Sequence, residues 1–212
     1  MNEHDSERIS GLLETAGLER TLEPETADVI VLNTCCIREN ADNKFYGHLG
    51  NLKSLKEINP SLKIMVGGCL AQKDQKTITD RASHVDVVFG THNLERVVDL
   101  LEASDHGPIV EIIEPTGNEL DSFGSEPLPT RRDVAYAAWM TIQSGCDNAC
   151  AFCIVPQVRG PEVSKPFGDL LQEAKNLVND GVDEITLLGQ NVNSYGRDLT
   201  LKLRFEPPSE LD

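Results

Sequence analysis

Residues 27–34 read ADVIVLNT, a short apolar run rich in β-branched side chains. A run of this kind predicts a strand that is buried on both faces, as in a parallel sheet. Two similar runs follow, LKIMVGG at 62–68 and VDVVFG at 85–90. Helices are predicted before, between and after these runs, over 6–17, 37–59, 71–82 and 93–104, with Asn93 as the cap of the last one. Strands that alternate with helices predict an α/β unit, an open parallel sheet with flanking helices, over residues 1–103.

The chain changes in composition after this unit. Residues 104–133 are rich in Pro, Gly and acidic side chains, with one strand-like piece, IVEII at 109–113, and are predicted to form a linker. A strand at 134–143, a helix at 167–179 and a strand at 183–190 then predict the start of a second α/β unit over 134–198. One strand–helix–strand unit cannot cover both faces of its sheet, so this unit is expected to be incomplete, with 199–212 as a divergent tail.

The bulk composition restricts the class of protein. The chain has 212 residues, six cysteines and a formal net charge of −16. That charge argues against nonspecific nucleic-acid binding, which needs clustered Lys and Arg. The sequence has no apolar stretch long enough to cross a membrane and no apolar core of a signal peptide, so no membrane partner and a cytoplasmic location are expected. In a reducing compartment, the cysteines are expected to be metal ligands or catalytic thiols rather than disulfides.

Two cysteines of the first unit follow predicted strands. Cys35 comes directly after the strand at 27–34, and Cys69 follows the strand at 62–68. The carboxyl ends of parallel strands form the ligand crevice of an open sheet, so both thiols are placed at one site. Two thiols are too few for a complete cluster, and buried cysteines also pack as small hydrophobic residues. The packing interpretation is preferred for Cys36, because neighbouring side chains point in different directions.

The strongest signal is SGCDNACAFC at 144–153, in which Cys146, Cys150 and Cys153 have the spacing CxxxCxxC. A structural zinc site needs four ligands, and no second pair lies nearby. Thiolates in a tight loop also hold iron–sulfur clusters, and three ligands leave one iron of a four-iron cluster open to a substrate or cofactor. An iron–sulfur site is therefore favoured over zinc or chance.

This motif resembles the signature of the radical S-adenosylmethionine enzymes, including the aromatic Phe152 before the last cysteine. Five separated segments narrow the resemblance to the methylthiotransferases, and they are VIVLNTCCIRENA, VGGCLAQ, FGTHN, SGCDNACAFCIVPQVRGPEVSKP and LLGQNVNSYG. The second unit is then expected to begin a radical SAM partial (β/α) barrel. The segments favour the branch that methylthiolates N6-isopentenyladenosine beside the tRNA anticodon. Alternatives are a relative that acts on threonylcarbamoyl-adenosine or on a ribosomal-protein aspartate, or a non-catalytic iron–sulfur or zinc-binding fragment.

The resemblance implies an enzyme with a [4Fe–4S] cluster on Cys146, Cys150 and Cys153, whose open iron binds S-adenosylmethionine. One electron from an external reductant then generates a 5′-deoxyadenosyl radical, chemistry that belongs to the cofactor. A second [4Fe–4S] cluster is implied in the first unit, where Cys35 and Cys69 match two of its three ligands. The family's third ligand lies in a GCQMN word before HDSE, whereas this chain begins MNEHDSE. We therefore expect a form that is truncated at both ends, lacks the RNA-binding domain and is possibly inactive.

Three polar residues are weaker candidates for cofactor binding. Arg159 offers a planar guanidinium to a carboxylate or phosphate, although an exposed, solvated arginine is an equal alternative. Gln190 and Asn191 follow the strand at 183–190 and are suited to hydrogen-bond a ligand, although loop capping would also explain them. The histidines have no ligand spacing and are expected to be surface or packing residues: His4, His48, His84, His92 and His106.

Overall fold

The computed structural model describes residues 1–35, 39–116, 123 and 128–200, with the backbone alone at 39–43. Its first part contains α1 (Asn2–Thr15), β1 (Val29–Thr34), α2 (Glu39–Ile58), β2 (Lys63–Gly68), α3 (Cys69–Asp74), α4 (Lys76–Arg81), β3 (Val87–Phe89), α5 (Val97–Ala103) and β4 (Ile109–Glu111). Its second part contains β5 (Ala137–Thr141), β6 (Gln143–Ser144), α6 (Val155–Arg159), β7 (Val163–Ser164), α7 (Phe167–Asn179) and β8 (Glu184–Leu188).

Strands β1 to β4 form one parallel sheet in the order β1-β2-β3-β4. Alternate side chains of each strand enter different cores, as the pleat requires. On one face, Ile64 and Val66 pack with Leu49 and Leu52 of α2. On the other face, Met65, Val87 and Phe89 pack with Ile9 of α1 and Val97 of α5. The predicted open parallel sheet with helices on both faces is therefore confirmed.

Two local predictions in this unit were wrong. The helix predicted over 71–82 is divided into α3 and α4, because Gln75 adopts φ +46°, which no α-helix contains. The division keeps Ala71 and Ile78 in the same core. Asn93 does not cap the following 3₁₀ turn with its side chain. Its Oδ1 instead accepts hydrogen bonds from the backbone N–H groups of Gly90 and Ile113, at 3.1 and 3.0 Å, and so ties the end of the sheet to the chain beyond it.

The segment predicted as a linker contributes to the first sheet. β4 pairs in parallel with β3, Val88 opposite Val110, so the sheet continues beyond residue 103. The segment also returns to α1, where the Arg131 backbone N–H donates to the Glu7 carbonyl at 3.0 Å. Gly11 of α1 is required there, because a Cβ would collide with the Pro129 carbonyl. The chain between the two units is thus anchored to the first unit at both ends.

The second unit is a parallel pair, β5 and β8, with α7 packed against β5, and a short antiparallel ribbon, β6 and β7. Met140, Ile142 and Leu170 form its small core. The ribbon was not predicted from the sequence, since two-residue strands have no periodicity to detect. Within the part of the chain that the structure describes, no helix is both long enough and apolar enough to span a bilayer.

Candidate functional site

Cys35 and Cys69 lie side by side, directly after the carboxyl ends of β1 and β2. Thr34 of β1 is opposite Gly68 of β2, and each cysteine is the next residue in its chain. Gly68 has φ +89°, and a Cβ at this position would overlap the Thr34 carbonyl. A glycine is therefore needed for the two strand ends to approach this closely. Both thiols are half-buried, and Cys36 lies outside the described residues.

The CxxxCxxC loop begins directly after β6. Gly145 adopts φ +72°, and a Cβ there would overlap the Pro161 carbonyl, so the base of the loop lies against residues 160–162. The Cys146 backbone N–H donates to the Gly160 carbonyl at 3.1 Å. The Glu162 backbone N–H donates to Asp147 Oδ1 at 2.9 Å. These hydrogen bonds fix the Cys146–Asp147 end of the loop against Gly160 and Glu162.

The other end of the loop, residues 150–153, is exposed to solvent. Cys150 and Cys153 are exposed whereas Cys146 is buried, and the Phe152 side chain is 102% exposed. Within residues 1–35, 39–116, 123 and 128–200, no three His, Cys, Asp or Glu side chains converge as metal ligands. The structure therefore places the three thiols on one short loop without gathering their sulfur atoms around one point.

A polar network lies behind this loop. The Gln143 side chain is 0% exposed, and its Nε2 donates to Ser194 Oγ at 3.0 Å. Ser194 Oγ in turn donates to Glu162 Oε2 at 2.7 Å. Gln143 Oε1 and Gln190 Oε1 are buried acceptors without a hydrogen-bond donor among the described residues. Unsatisfied buried acceptors are rare, so these two amide oxygens have hydrogen-bonding capacity that the described residues do not use.

The sequence singled out only part of this network. Gln190 and Asn191 lie half-buried just beyond the end of β8, and the Asn191 carbonyl accepts the Ser194 N–H at 2.9 Å. Gln143, Glu162 and Ser194 were not predicted. A glutamine at the end of the apolar run AYAAWMTIQ was the available signal, because a polar residue inside a buried strand needs a partner.

Arg159 is buried rather than solvated, with 7% of its surface exposed. Its Nη2 lies 2.5 Å from Asp5 Oδ2 in α1. Burial alone would lower the pKa of the guanidinium, but the charge of Asp5 and the neighbouring Cys69 sulfur outweigh burial and raise that pKa. The arginine thus has an internal partner for its charge. Its predicted role in cofactor binding stays a prediction.

Among the histidines, His4 is buried at the junction of the two units. Burial is the largest cause that lowers its pKa, to about 2, and the nearby charges of Arg8, the chain amino terminus and Lys165 lower it further. The imidazole is therefore neutral in the folded protein. His84 contacts the Leu49 carbonyl through Nε2 at 2.8 Å, which agrees with the packing role predicted for it.

Comparison with known proteins gives independent information on both units. Residues 1–90 match the family described as "Uncharacterized protein family UPF0004", and residues 140–206 match the "Radical SAM superfamily". The second match includes the whole CxxxCxxC loop.

Curated relatives extend over nearly the whole chain. A protein of Mycobacterium bovis named tRNA-2-methylthio-N(6)-dimethylallyladenosine synthase is 53% identical over 92% of this chain and 38% of its own length. Proteins of the same name from Frankia alni and Nocardioides sp. are each 56% identical, over 94% and 92% of this chain and 39% of their own lengths. This chain thus spans less than half the length of these relatives.

A solved structure of the radical S-adenosylmethionine methyltransferase TsrM from Kitasatospora setae is 11% identical, with a TM-score of 0.49 over 94% of this chain and 44% of that chain. The matched families and the curated relatives place the chain among the radical S-adenosylmethionine enzymes. It belongs to their methylthiotransferase family, which uses an iron–sulfur cluster and S-adenosylmethionine.

Proposed function

We propose that this chain is part of an enzyme that methylthiolates N6-isopentenyladenosine beside the tRNA anticodon. The observation that carries the proposal is its 53% and 56% identity to relatives named for synthesis of the methylthiolated nucleoside. The proposed partners are a tRNA substrate and a one-electron reductant, in the cytoplasm. The alternative substrates gain no support from these relatives, whose shared name specifies dimethylallyladenosine.

The proposed ligands of the S-adenosylmethionine-binding [4Fe–4S] cluster are Cys146, Cys150 and Cys153. Their chemistry fits, because thiolates are the usual ligands of iron–sulfur clusters. The loop is open to a cluster, since Cys150 and Cys153 are exposed while the Cys146 end is hydrogen-bonded to Gly160 and Glu162. The three sulfur atoms would have to converge when the cluster binds, because they do not meet at one point among the described residues. When bound, the cluster would supply the electron that cleaves S-adenosylmethionine.

The protein's own share of the chemistry is to bind and orient the cofactor. Gln190 is proposed to contact the cofactor, because it is half-buried just beyond β8 and its Oε1 has no hydrogen-bond donor among the described residues. Glu162 and Ser194 hold the Gln143 side chain in place through the hydrogen bonds described above. Asn191 is proposed as a further contact, because it lies next to Gln190 at the end of β8.

Cys35 and Cys69 are proposed as ligands of a second cluster at the carboxyl ends of β1 and β2. The paired ends of β1 and β2 support this, since they place the two cysteines next to each other. Cys35 and Cys69 match two of the three cysteine ligands that the family resemblance implies. We therefore expect the 212-residue chain to hold one stable cluster rather than two.

Anaerobic reconstitution of the 212-residue chain with iron and sulfide tests the cluster assignment. We expect about four irons per chain and visible iron–sulfur absorption, both lost in Cys150→Ala and retained in the matched control Cys69→Ala. About one zinc per chain without visible absorption would overturn the iron–sulfur assignment. About eight irons per chain would contradict the expectation of a single cluster.

The substrate assignment needs a separate assay. The reconstituted chain is incubated with a reductant, S-adenosylmethionine and a tRNA that carries N6-isopentenyladenosine. We expect 5′-deoxyadenosine by mass spectrometry, formed faster with this tRNA than with the same tRNA without the isopentenyl group, and none with Cys150→Ala. The 2-methylthio nucleoside is not expected, because this chain is expected to hold only the cluster on the loop cysteines. If the two tRNAs give the same rate of 5′-deoxyadenosine formation, the radical chemistry stands and the proposed substrate of this chain is wrong.

A further inference from the structure

Arg159 lies between the two groups of thiols. It ends α6, the helix that follows the CxxxCxxC loop, and α6 packs against α3, the helix that begins at Cys69. The Arg159 Nη2 lies 2.5 Å from Asp5 Oδ2, and the Cys69 sulfur is among the neighbours that raise the pKa of the guanidinium. One side chain of the second unit therefore lies against the first helix of the chain and beside a candidate cluster ligand of the first unit.

Two further buried contacts cross the same junction. The Thr91 hydroxyl, beyond β3, donates to the Val158 carbonyl at 2.6 Å, one residue before Arg159. His4 Nδ1 lies 2.9 Å from Thr141 Oγ1 at the end of β5. The segment around Arg159 is thus held by α1 and by the end of β3. The contact with Cys69 is the one that joins this junction to a thiol.

A buried arginine needs a partner for its charge, and Asp5 provides one. The planar guanidinium carries several N–H donors in a fixed fork, so it can bind a carboxylate and a second acceptor simultaneously. A lysine is a single point charge on a flexible stem and cannot hold both groups in the same fixed geometry. Arginine therefore fits a role in which two groups must be held in a fixed relative position.

We propose that Arg159 is a positioning residue that, anchored by Asp5, holds Cys69 and the CxxxCxxC loop in one fixed arrangement. Its meaning for catalysis rests on the proposed function, in which Cys69 and the loop cysteines are cluster ligands. The geometric role itself needs no cluster. It is therefore testable in the metal-free chain.

The test uses the reduced, metal-free 212-residue chain and two readouts. The first is the alkylation rate of Cys69 relative to the exposed Cys150, measured by mass spectrometry at a pH high enough to ionise both thiols, so that access alone is compared. The second is the rate of tryptic cleavage after Arg131 and Arg132, where the chain returns to α1. Cleavage there reports how often the units separate, because proteases cut the transiently opened state.

The variants separate the two contacts of the guanidinium. Arg159→Met is expected to raise both rates about tenfold, because the ion pair and the contact with Cys69 are both lost. Arg159→Lys is expected to keep the cleavage rate near that of the parent chain and still raise Cys69 alkylation. If Arg159 only stabilised the junction, Arg159→Lys would return both the cleavage rate and the Cys69 alkylation rate to the values of the parent chain. The isosteric Asp5→Asn, which disturbs packing least, is expected to raise both rates by a smaller factor.

Lys53 and Glu57 provide the control, since this ion pair is exposed, at 4.0 Å, and both residues lie in α2, away from the cleaved bonds. Glu57→Gln is expected to change neither rate. Circular dichroism checks that each variant is folded. If Cys69 alkylation stays unchanged in Arg159→Met and Asp5→Asn, or if lysine restores both readouts, the proposed role is wrong. No iron or cofactor enters these measurements, so their failure leaves the proposed function intact.

Discussion

His4 Nδ1 in α1 and Thr141 Oγ1 in β5 lie 2.9 Å apart although they are separated by 137 positions in the sequence. The pair is buried at the junction of the two units, beside Arg8, Lys165 and the chain amino terminus. Because these neighbours are positive, a second proton on the imidazole would be neither solvated nor paired. The junction therefore depends on a neutral histidine.

This histidine makes stability depend on pH. Its pKa is about 2 in the folded chain and 6.5 in the reference state, so only the unfolded chain binds the proton between these values. The free energy of unfolding therefore has its full value above pH 6.5 as far as His4 is concerned. It falls as the pH decreases below 6.5, by about 2 kcal/mol at about pH 5, because protonation then favours the unfolded chain. Urea unfolding at about pH 7.5 and about pH 5 measures the loss. In His4→Asn, the loss of unfolding free energy between the two pH values should be smaller by about 2 kcal/mol. In the exposed control His106→Gln, the loss should equal that of the parent chain.

Asp86 connects α2 to the first sheet. Its carboxylate accepts from Lys56 Nζ at 2.6 and 2.5 Å and from the Ile64 N–H at 2.7 Å, and both side chains of the ion pair are mostly buried. Asp86→Ala leaves the ammonium and the amide without this partner. We expect a loss of about 2–4 kcal/mol in the free energy of unfolding. Urea denaturation measures this.

An exposed ion pair on the same helix is the control for that measurement. Lys53 and Glu57 lie one turn apart at 4.0 Å, with both side chains in solvent. Glu57→Ala should change stability by less than about 0.5 kcal/mol. A similar loss in both variants would contradict the role given to Asp86.

Gly67 is the position in β2 where Phe89 packs against the backbone. A Cβ at Gly67 would overlap the ring, which is fully buried. Gly67→Ala should destabilise the chain by about 2–3 kcal/mol through overpacking. Adding Phe89→Leu should make the combined loss smaller than the sum of the two single losses, because the smaller side chain leaves room for the methyl group. Thermal and urea unfolding of the three variants give this coupling.

A glycine elsewhere shows what the same substitution does without a clash. Gly47 in α2 is exposed and has open space around a Cβ. Gly47→Ala should stabilise the chain by about 0.5–1 kcal/mol, since alanine favours the helix. If Gly67→Ala were also neutral or stabilising, the close packing of Phe89 on β2 would be wrong.

Gly145 sets the path of the cysteine loop. Its φ of +72° and the nearby Pro161 carbonyl leave no space for a side chain. Gly145→Ala should therefore lower the iron bound after reconstitution from about four per chain to below about one, although all three thiols remain. Gly181→Ala is the control, because Gly181 also has a positive φ of +84° but has open space. Equal iron content in both variants would show that the loop does not need this backbone geometry.

Local patterns were sufficient for much of the fold. The β-branched runs at 27–34, 62–68 and 85–90 contain β1, β2 and β3, because each core strand must present apolar side chains to two helical layers. The positions of Cys35 and Cys69 at adjacent strand ends followed from the same pattern. The break at Gln75 did not, since glutamine has no turn signature and its φ of +46° occurs where Ala71 and Ile78, on either side, pack in the same core.

The sequence by itself determined β1, β2 and β3 with the helices between them, the family, and the three closely spaced cysteines of the loop, because each of these depends on residues near one another in the chain. Only the tertiary structure showed that β4 joins the first sheet and that Asp5 and Arg159 form a buried ion pair 154 positions apart. The reason is physical. A charged residue is expected in solvent from its type alone, and only a distant partner of opposite charge makes its burial possible.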